Sequence, residues 1–169
     1  KDDLKKLISS DDEVDTKSLV KNTIDIVAES NNSLQLFDML HAMRDVDDLT
    51  YVHSMNVALI ASVIGKWMGY NQEKIKVLTL AGLMHDIGKP CCSSTDQNGI
   101  IHFYGHHRES CKIAVDLMHR LRMDNDTIRE VSILVENHDV RVEPSLPAVK
   151  RMMARTGEVL FEKLLIILL

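Results

Sequence analysis

The chemistry in this sequence is concentrated in four histidines and one aspartate. His85 and Asp86 are adjacent at the end of the apolar run Ala81-Gly82-Leu83-Met84, and Ile87-Gly88-Lys89-Pro90 follows. His53, His106 and His138 stand in three other segments. Each of the four histidines continues the apolar stripe of an expected helix. His53 is four residues before Val57, His85 three beyond Gly82, His106 four before Ser110 and His138 three after Val135. Each also falls near a helix end. A bundle that buries those stripes brings the ends towards one cavity. Buried imidazoles need hydrogen-bond partners or a metal. A lone histidine on an apolar face is usually a satisfied core residue, but four in register with a carboxylate are costly without a shared cation. Nitrogen and carboxylate donors suit a divalent transition metal such as Mn, Fe, Co, Ni or Zn, as one or two ions, with Mg as a further candidate. Asp86 follows His85 at about 100° round the helix, close enough to share an ion with it.

Other side chains are candidates for substrate contact. Lys89, three residues past Asp86, can reach a phosphate oxygen at the metal. His102 and His107 flank His106, and each is read either as a substrate contact or as an exposed ring. Arg141, with Lys150, Arg151 and Arg155, makes a basic cluster beyond His138. It is either a solvated helix face or a device for steering phosphate. Cys91 and Cys92 carry soft ligand atoms, but adjacent cysteines bind one ion awkwardly. His41 and His119 read as surface residues, and Met152-Met153 as core.

Helices must position these groups. One is expected from Tyr51 to near Gly69, with Val57, Ile60, Ala61 and Ile64 inside. The next runs over 72–85, with Ile75, Leu78 and Gly82 along one side, and Gly88 and Pro90 stop it. Residues 91–99 read as a polar loop and 100–105 as a short extended piece. His106 opens a helix that buries Ser110, Ile113, Ala114, Leu117 and Leu121. The run Asp124-Asn125-Asp126 offers an N-cap for a helix through Val135. Pro147 suits the first turn of another, and Gly157 divides that one from a last apolar helix over 159–169. Residues 1–45 are expected to form N-terminal helices that pack on a single compact unit over 46–169.

Composition supports an all-α fold. The 169 residues are 45% hydrophobic but only 4% aromatic, so the core is Leu, Ile, Val, Met and Ala. That set suits helices better than sheets. With a net charge of −5 the chain lacks the basic balance of an autonomous nucleic-acid binder. A small phosphorylated or nucleotide substrate remains compatible with it, because a bound metal inverts the local field. Three cysteines without framework spacing point to free thiols and the cytoplasm. The longest apolar run, residues 164–169, is far short of the roughly 20 residues of a membrane span. No oligomeric state follows from the sequence.

His53, with His85-Asp86 inside His-Asp-Ile-Gly-Lys, resembles the HD superfamily of metal-dependent phosphohydrolases. The resemblance covers about residues 45–165. Its first half, from Tyr51-Val52-His53-Ser54 through Gly88, looks like the HD-GYP branch. Its second half runs from Lys89-Pro90 through His102-Phe103-Tyr104-Gly105-His106 to Val135-Glu136-Asn137-His138-Asp139. That half is more similar to the HD domains of bacterial CCA-adding enzymes and their stand-alone relatives.

The resemblance implies an HD-type helical bundle with a central metal site. His53, His85 and Asp86 would be ligands, with Asp86 able to bridge two ions. His106 and His138 match positions that recruit a second ion, and Lys89 matches a phosphate-contacting lysine. The implied activity is hydrolysis of a phosphomonoester or phosphodiester on a nucleotide-like substrate by metal-activated water. Asp86 would orient that water, and Lys89 would neutralise developing charge. The alternatives are a non-catalytic HD signalling or binding module, and the HD domain of a larger RNA-processing protein. Two departures stand out. Where the HD-GYP branch has Gly-Tyr-Pro, this chain reads Val142-Glu143-Pro144, so that branch's cyclic-dinucleotide chemistry is not expected. In addition, no aspartate follows Asp139, although the family usually supplies a late one.

Overall fold

The structure is a computed structural model and describes residues 48–168. The expected N-terminal helices of residues 1–45, and His41, lie outside the described residues. Six helices make up most of what is described: α1 (Asp48–Trp67), α2 (Gln72–Met84), α3 (His106–Arg120), α4 (Asn125–Asn137), α5 (Leu146–Thr156) and α6 (Glu158–Ile167). Between α2 and α3 come a 3-10 turn, Pro90–Cys92, and a small antiparallel hairpin of β1 (Ser94–Thr95) and β2 (Ile101–His102). The all-α expectation holds, and of the short extended piece expected over 100–105 only Ile101–His102 is strand, the second of that hairpin.

Side chains define the helix starts. Asn71 accepts from the Lys74 N–H at 3.0 Å, Asp124 from Thr127 N–H at 2.8 Å and Ser145 from Ala148 N–H at 3.4 Å. Each such cap satisfies one of the donors that a helix start leaves free. Pro147 sits in the first turn of α5, where its missing N–H costs nothing. Gly157, at φ +84°, takes a conformation that a side chain would oppose, and so divides α5 from α6.

The centre of the bundle is α2. Every residue from Val77 to Met84 is buried. A helix that is apolar on all sides belongs inside a core, and α2 packs on α1, α3, α4 and α6. Leu80, Leu83 and Met84 share the core with Met118 of α3, Val131 and Leu134 of α4, and Leu164 of α6. The closest approach is to α1. A Cβ placed on Gly82 would stand 2.6 Å from the Ala58 Cα, so only glycine allows these two backbones to meet.

That contact corrects the expected face of α1. Ser54, Met55, Ala58, Ala61 and Ser62 are buried, while Ile60 is 53% exposed. Small side chains, not the largest ones, face α2, because the backbones are too close for an isoleucine. His53 therefore lies at the edge of the buried stripe rather than on it. A second departure is Lys163, read as part of an apolar helix. It is buried in α6, and its Nζ pairs with the Glu130 carboxylate of α4. A buried ammonium is tolerated when a carboxylate meets it. No helix among the described residues is long and apolar enough to cross a membrane.

Candidate metal centre

Helix ends build the site. His85 is the C-cap residue of α2 and His138 the C-cap residue of α4. The partial negative charge of a helix C-terminus favours a cation, and two such ends converge here. His106 is the first residue of α3, and His53 projects from the second turn of α1.

Backbone carbonyls orient the rings. Nδ1 of His85 donates to the Gly82 carbonyl at 2.8 Å, Nδ1 of His106 to Phe103 at 2.8 Å and Nδ1 of His138 to Val135 at 2.7 Å. A carbonyl only accepts, so in each neutral ring the proton is on Nδ1 and the lone pair is on Nε2. This is the way proteins fix an imidazole for ligation.

Those Nε2 atoms surround Asp86, which is 1% exposed. Its Oδ2 lies 3.1 Å from His85 Nε2 and 3.8 Å from His53 Nε2. Its Oδ1 lies 3.3 Å from His106 Nε2 and 3.5 Å from His138 Nε2. Lys89 Nζ donates to Oδ2 at 2.5 Å. Two donor sets thus share one carboxylate: His53, His85 and Asp86, and then Asp86, His106 and His138. In each set the ligand atoms lie within 4.8 Å of one another. Oδ1 is buried and has no hydrogen-bond partner. Lone pairs that converge on an orphaned carboxylate oxygen fit a divalent cation.

Electrostatics agree with this arrangement. Burial alone pushes the Asp86 carboxyl up; positively charged neighbours, the His138 and His85 rings when protonated and the Lys89 ammonium, outweigh it and hold the group well below the usual carboxylate range, so the carboxylate calls for positive charge beside it. Burial lowers His53, and the nearby His85 ring adds to that, while Asp86 opposes it. A lowered value favours the neutral ring, the form that ligates a metal.

The structure brings His53, His85, Asp86, Lys89, His106 and His138 together. His53 is the most open, with its side chain 54% exposed. His107 stands one residue outside this centre, with Nδ1 buried, unpartnered and 3.8 Å from Asp139 Oδ2. His106, His107 and Asp139 form a third set of possible ligand atoms. Burial pushes the His107 ring down, against the pull of Asp139. His102 does not join the centre, because its Nε2 bonds to Asp96 Oδ2 at 3.2 Å. Arg141 is exposed and makes no hydrogen bond or ion pair among the described residues. Lys150, Arg151 and Arg155 are exposed on α5. Cys91 is exposed, and all three cysteines are free.

In the sequence Gly88 reads only as a helix stop. Its N–H donates to Ser110 Oγ at 2.9 Å, and a Cβ there would lie 2.5 Å from the Ser110 nitrogen. This contact seats the turn after Asp86 against α3 and brings His106 to the carboxylate. The glycine itself was the only signal.

The HD domain family matches residues 50–162 of the chain. Among curated proteins, an A-adding tRNA nucleotidyltransferase of Deinococcus radiodurans is 28% identical over 85 residues. That stretch is 50% of this chain and 20% of the other protein, so the similarity spans about a fifth of the relative. No solved structure matches the chain significantly.

Proposed function

Because the chain belongs to the HD domain family, we propose that it is a metal-dependent phosphohydrolase acting on a small, nucleotide-like phosphate ester, as monoester or diester. The observation that carries this reading is Asp86, buried and ringed by the Nε2 atoms of His53, His85, His106 and His138. These five residues would hold one or two divalent ions of Mn, Fe, Co, Ni, Zn or Mg type. A cation there supplies Lewis acidity towards the phosphoryl oxygen and acidifies the attacking water.

The chain's own groups do the rest. The carbonyls of Gly82, Phe103 and Val135 lock three rings, so little reorganisation accompanies binding. Asp86 stays ionised, so its oxygens remain acceptors that orient the attacking water. Lys89, held at 2.5 Å from Oδ2, brings a positive charge to the edge of the centre. There it neutralises charge developing on the phosphoryl oxygens. His102, His107 and Arg141 would line the approach of substrate. Free thiols at Cys91, Cys92 and Cys111 support a cytoplasmic setting.

Metal analysis of the purified protein, with phosphatase and phosphodiesterase screens in Mn, Ni, Co and Mg, tests this. Bound metal and metal-dependent release of phosphate or alcohol are expected. Absence of both overturns the proposal. The similarity to an A-adding tRNA nucleotidyltransferase favours a second reading, in which this is the HD domain of a larger RNA-processing protein. Preference for phosphates at tRNA ends over free nucleotides would favour it.

A further inference from the structure

The hairpin between α2 and α3 enters the reading above only through His102, yet it is firmly built. Asp96 ties it together. Its Oδ1 accepts from the N–H groups of Asn98 at 2.8 Å and Ile100 at 2.9 Å, and its Oδ2 faces His102 Nε2 at 3.2 Å. His102 ends β2, and Phe103 and the turn residue Tyr104 follow it towards α3. The His102 and Tyr104 rings stack, with planes 12° apart and centroids 5.1 Å apart. Tyr104 is 76% exposed, so the pair offers a flat π surface to solvent.

Phe103 joins this hairpin to the centre. Its ring lies 5.8 Å from Lys89 Nζ, and its carbonyl holds His106 Nδ1. Tyr104 is two residues from His106, no more than about 7 Å of extended chain. The whole sequence holds three phenylalanines and three tyrosines. One of each stands here, side by side, at the edge of the centre. An exposed aromatic ring on a loose loop loses conformational freedom when it binds. Here the Asp96 bonds and the His102 stack have already removed that freedom.

We infer that the Tyr104–His102 stack is a platform for a planar ring, such as a nucleobase, carried by the phosphate ester whose phosphoryl group lies at Lys89. The inference rests on the phosphohydrolase reading with a nucleotide-like substrate, and names the side chains that meet the base. Tyr104 is then a specificity-determining residue, and Asp96 positions it through His102.

The test is discrimination between substrates with and without a base. Turnover of adenosine 5′-monophosphate and of ribose 5-phosphate is compared in the wild type and in Tyr104→Ala and Tyr104→Trp. Loss of one stacking partner predicts that the kcat/KM ratio of nucleotide over sugar phosphate falls about 10-fold in Tyr104→Ala and is kept in Tyr104→Trp. An unchanged ratio in Tyr104→Ala, or no preference for the nucleotide in the wild type, overturns the platform while leaving the hydrolase standing. Should neither compound turn over, calorimetric binding of adenosine 5′-monophosphate to the same proteins decides the matter. A Kd about 10-fold weaker in Tyr104→Ala supports the platform; an equal Kd, or no binding, removes it.

Discussion

Nε2 of His106 lies 3.1 Å from Nε2 of His138, and each ring donates its Nδ1–H to a backbone carbonyl. Both nitrogens also face Asp86 Oδ1, at 3.3 and 3.5 Å. Two lone pairs and a carboxylate oxygen repel one another in a buried place. Positive charge shared among them reverses the sign of that interaction. This contact between α3 and α4 gives the centre its second half, beside the half made by His53 and His85.

Removal of the shared carboxylate tests the centre most directly. Asp86→Ala is expected to lose metal from both halves and to lower hydrolysis by more than the roughly 10–100-fold that loss of an outer partner costs. Metal stoichiometry and turnover are the measurements, with circular dichroism to show that helices remain. Full turnover in this variant would place the chemistry elsewhere.

Lys89→Ala separates charge stabilisation from metal binding. Turnover is expected to fall about 100- to 1,000-fold, as when one stabilising group is lost. Metal content stays near that of the wild type, because an ammonium is no ligand. Loss of metal in this variant means that Lys89 serves only to hold Asp86.

Gly88→Ala probes the seat between the Asp86 turn and α3. The added methyl would meet the Ser110 nitrogen at 2.5 Å and the His106 carbonyl oxygen at 3.0 Å. Relief of that overlap moves backbone and costs about 1–3 kcal/mol. Urea denaturation reads it as a lower midpoint, and a midpoint equal to the wild type contradicts the close approach.

The cap of α4 gives stability a defined pH dependence. Hydrogen bonds from the Thr127 backbone and hydroxyl hold the Asp124 carboxyl below its ordinary range. A folded-state pKa that is depressed contributes stability above the unfolded value, about 3.9, and that stability is lost as pH falls through the folded value. Asp124→Ala is therefore expected to cost about 1 kcal/mol at pH 7. The gap to the wild type should narrow below about pH 4. Denaturation at pH 7 and pH 3 measures it, and a constant gap speaks against an ionised cap.

Much of this was legible in residue order. Asp124, Pro147 and Gly157 marked helix ends because capping and backbone geometry are local. His85, His106 and His138 were legible from spacing, since three- and four-residue steps stay on one helix face. The sequence points the α1 stripe towards Ile60, because residue size alone does not say which face lies against a partner. Ser54, Ala58 and Ser62 face α2 because Gly82 lets the two backbones nearly touch. Lys163 reads in the sequence as part of an apolar helix, because its partner Glu130 is 33 residues away.

The sequence by itself determined helices, their caps and a set of donor residues of the right chemical type, all of which follow from interactions within a turn or two of chain. Tertiary structure decided which oxygen of Asp86 the imidazoles of other helices meet, and that Gly88 seats one helix end on another. These depend on distances between segments far apart in the chain, and only the packing of the bundle sets such distances.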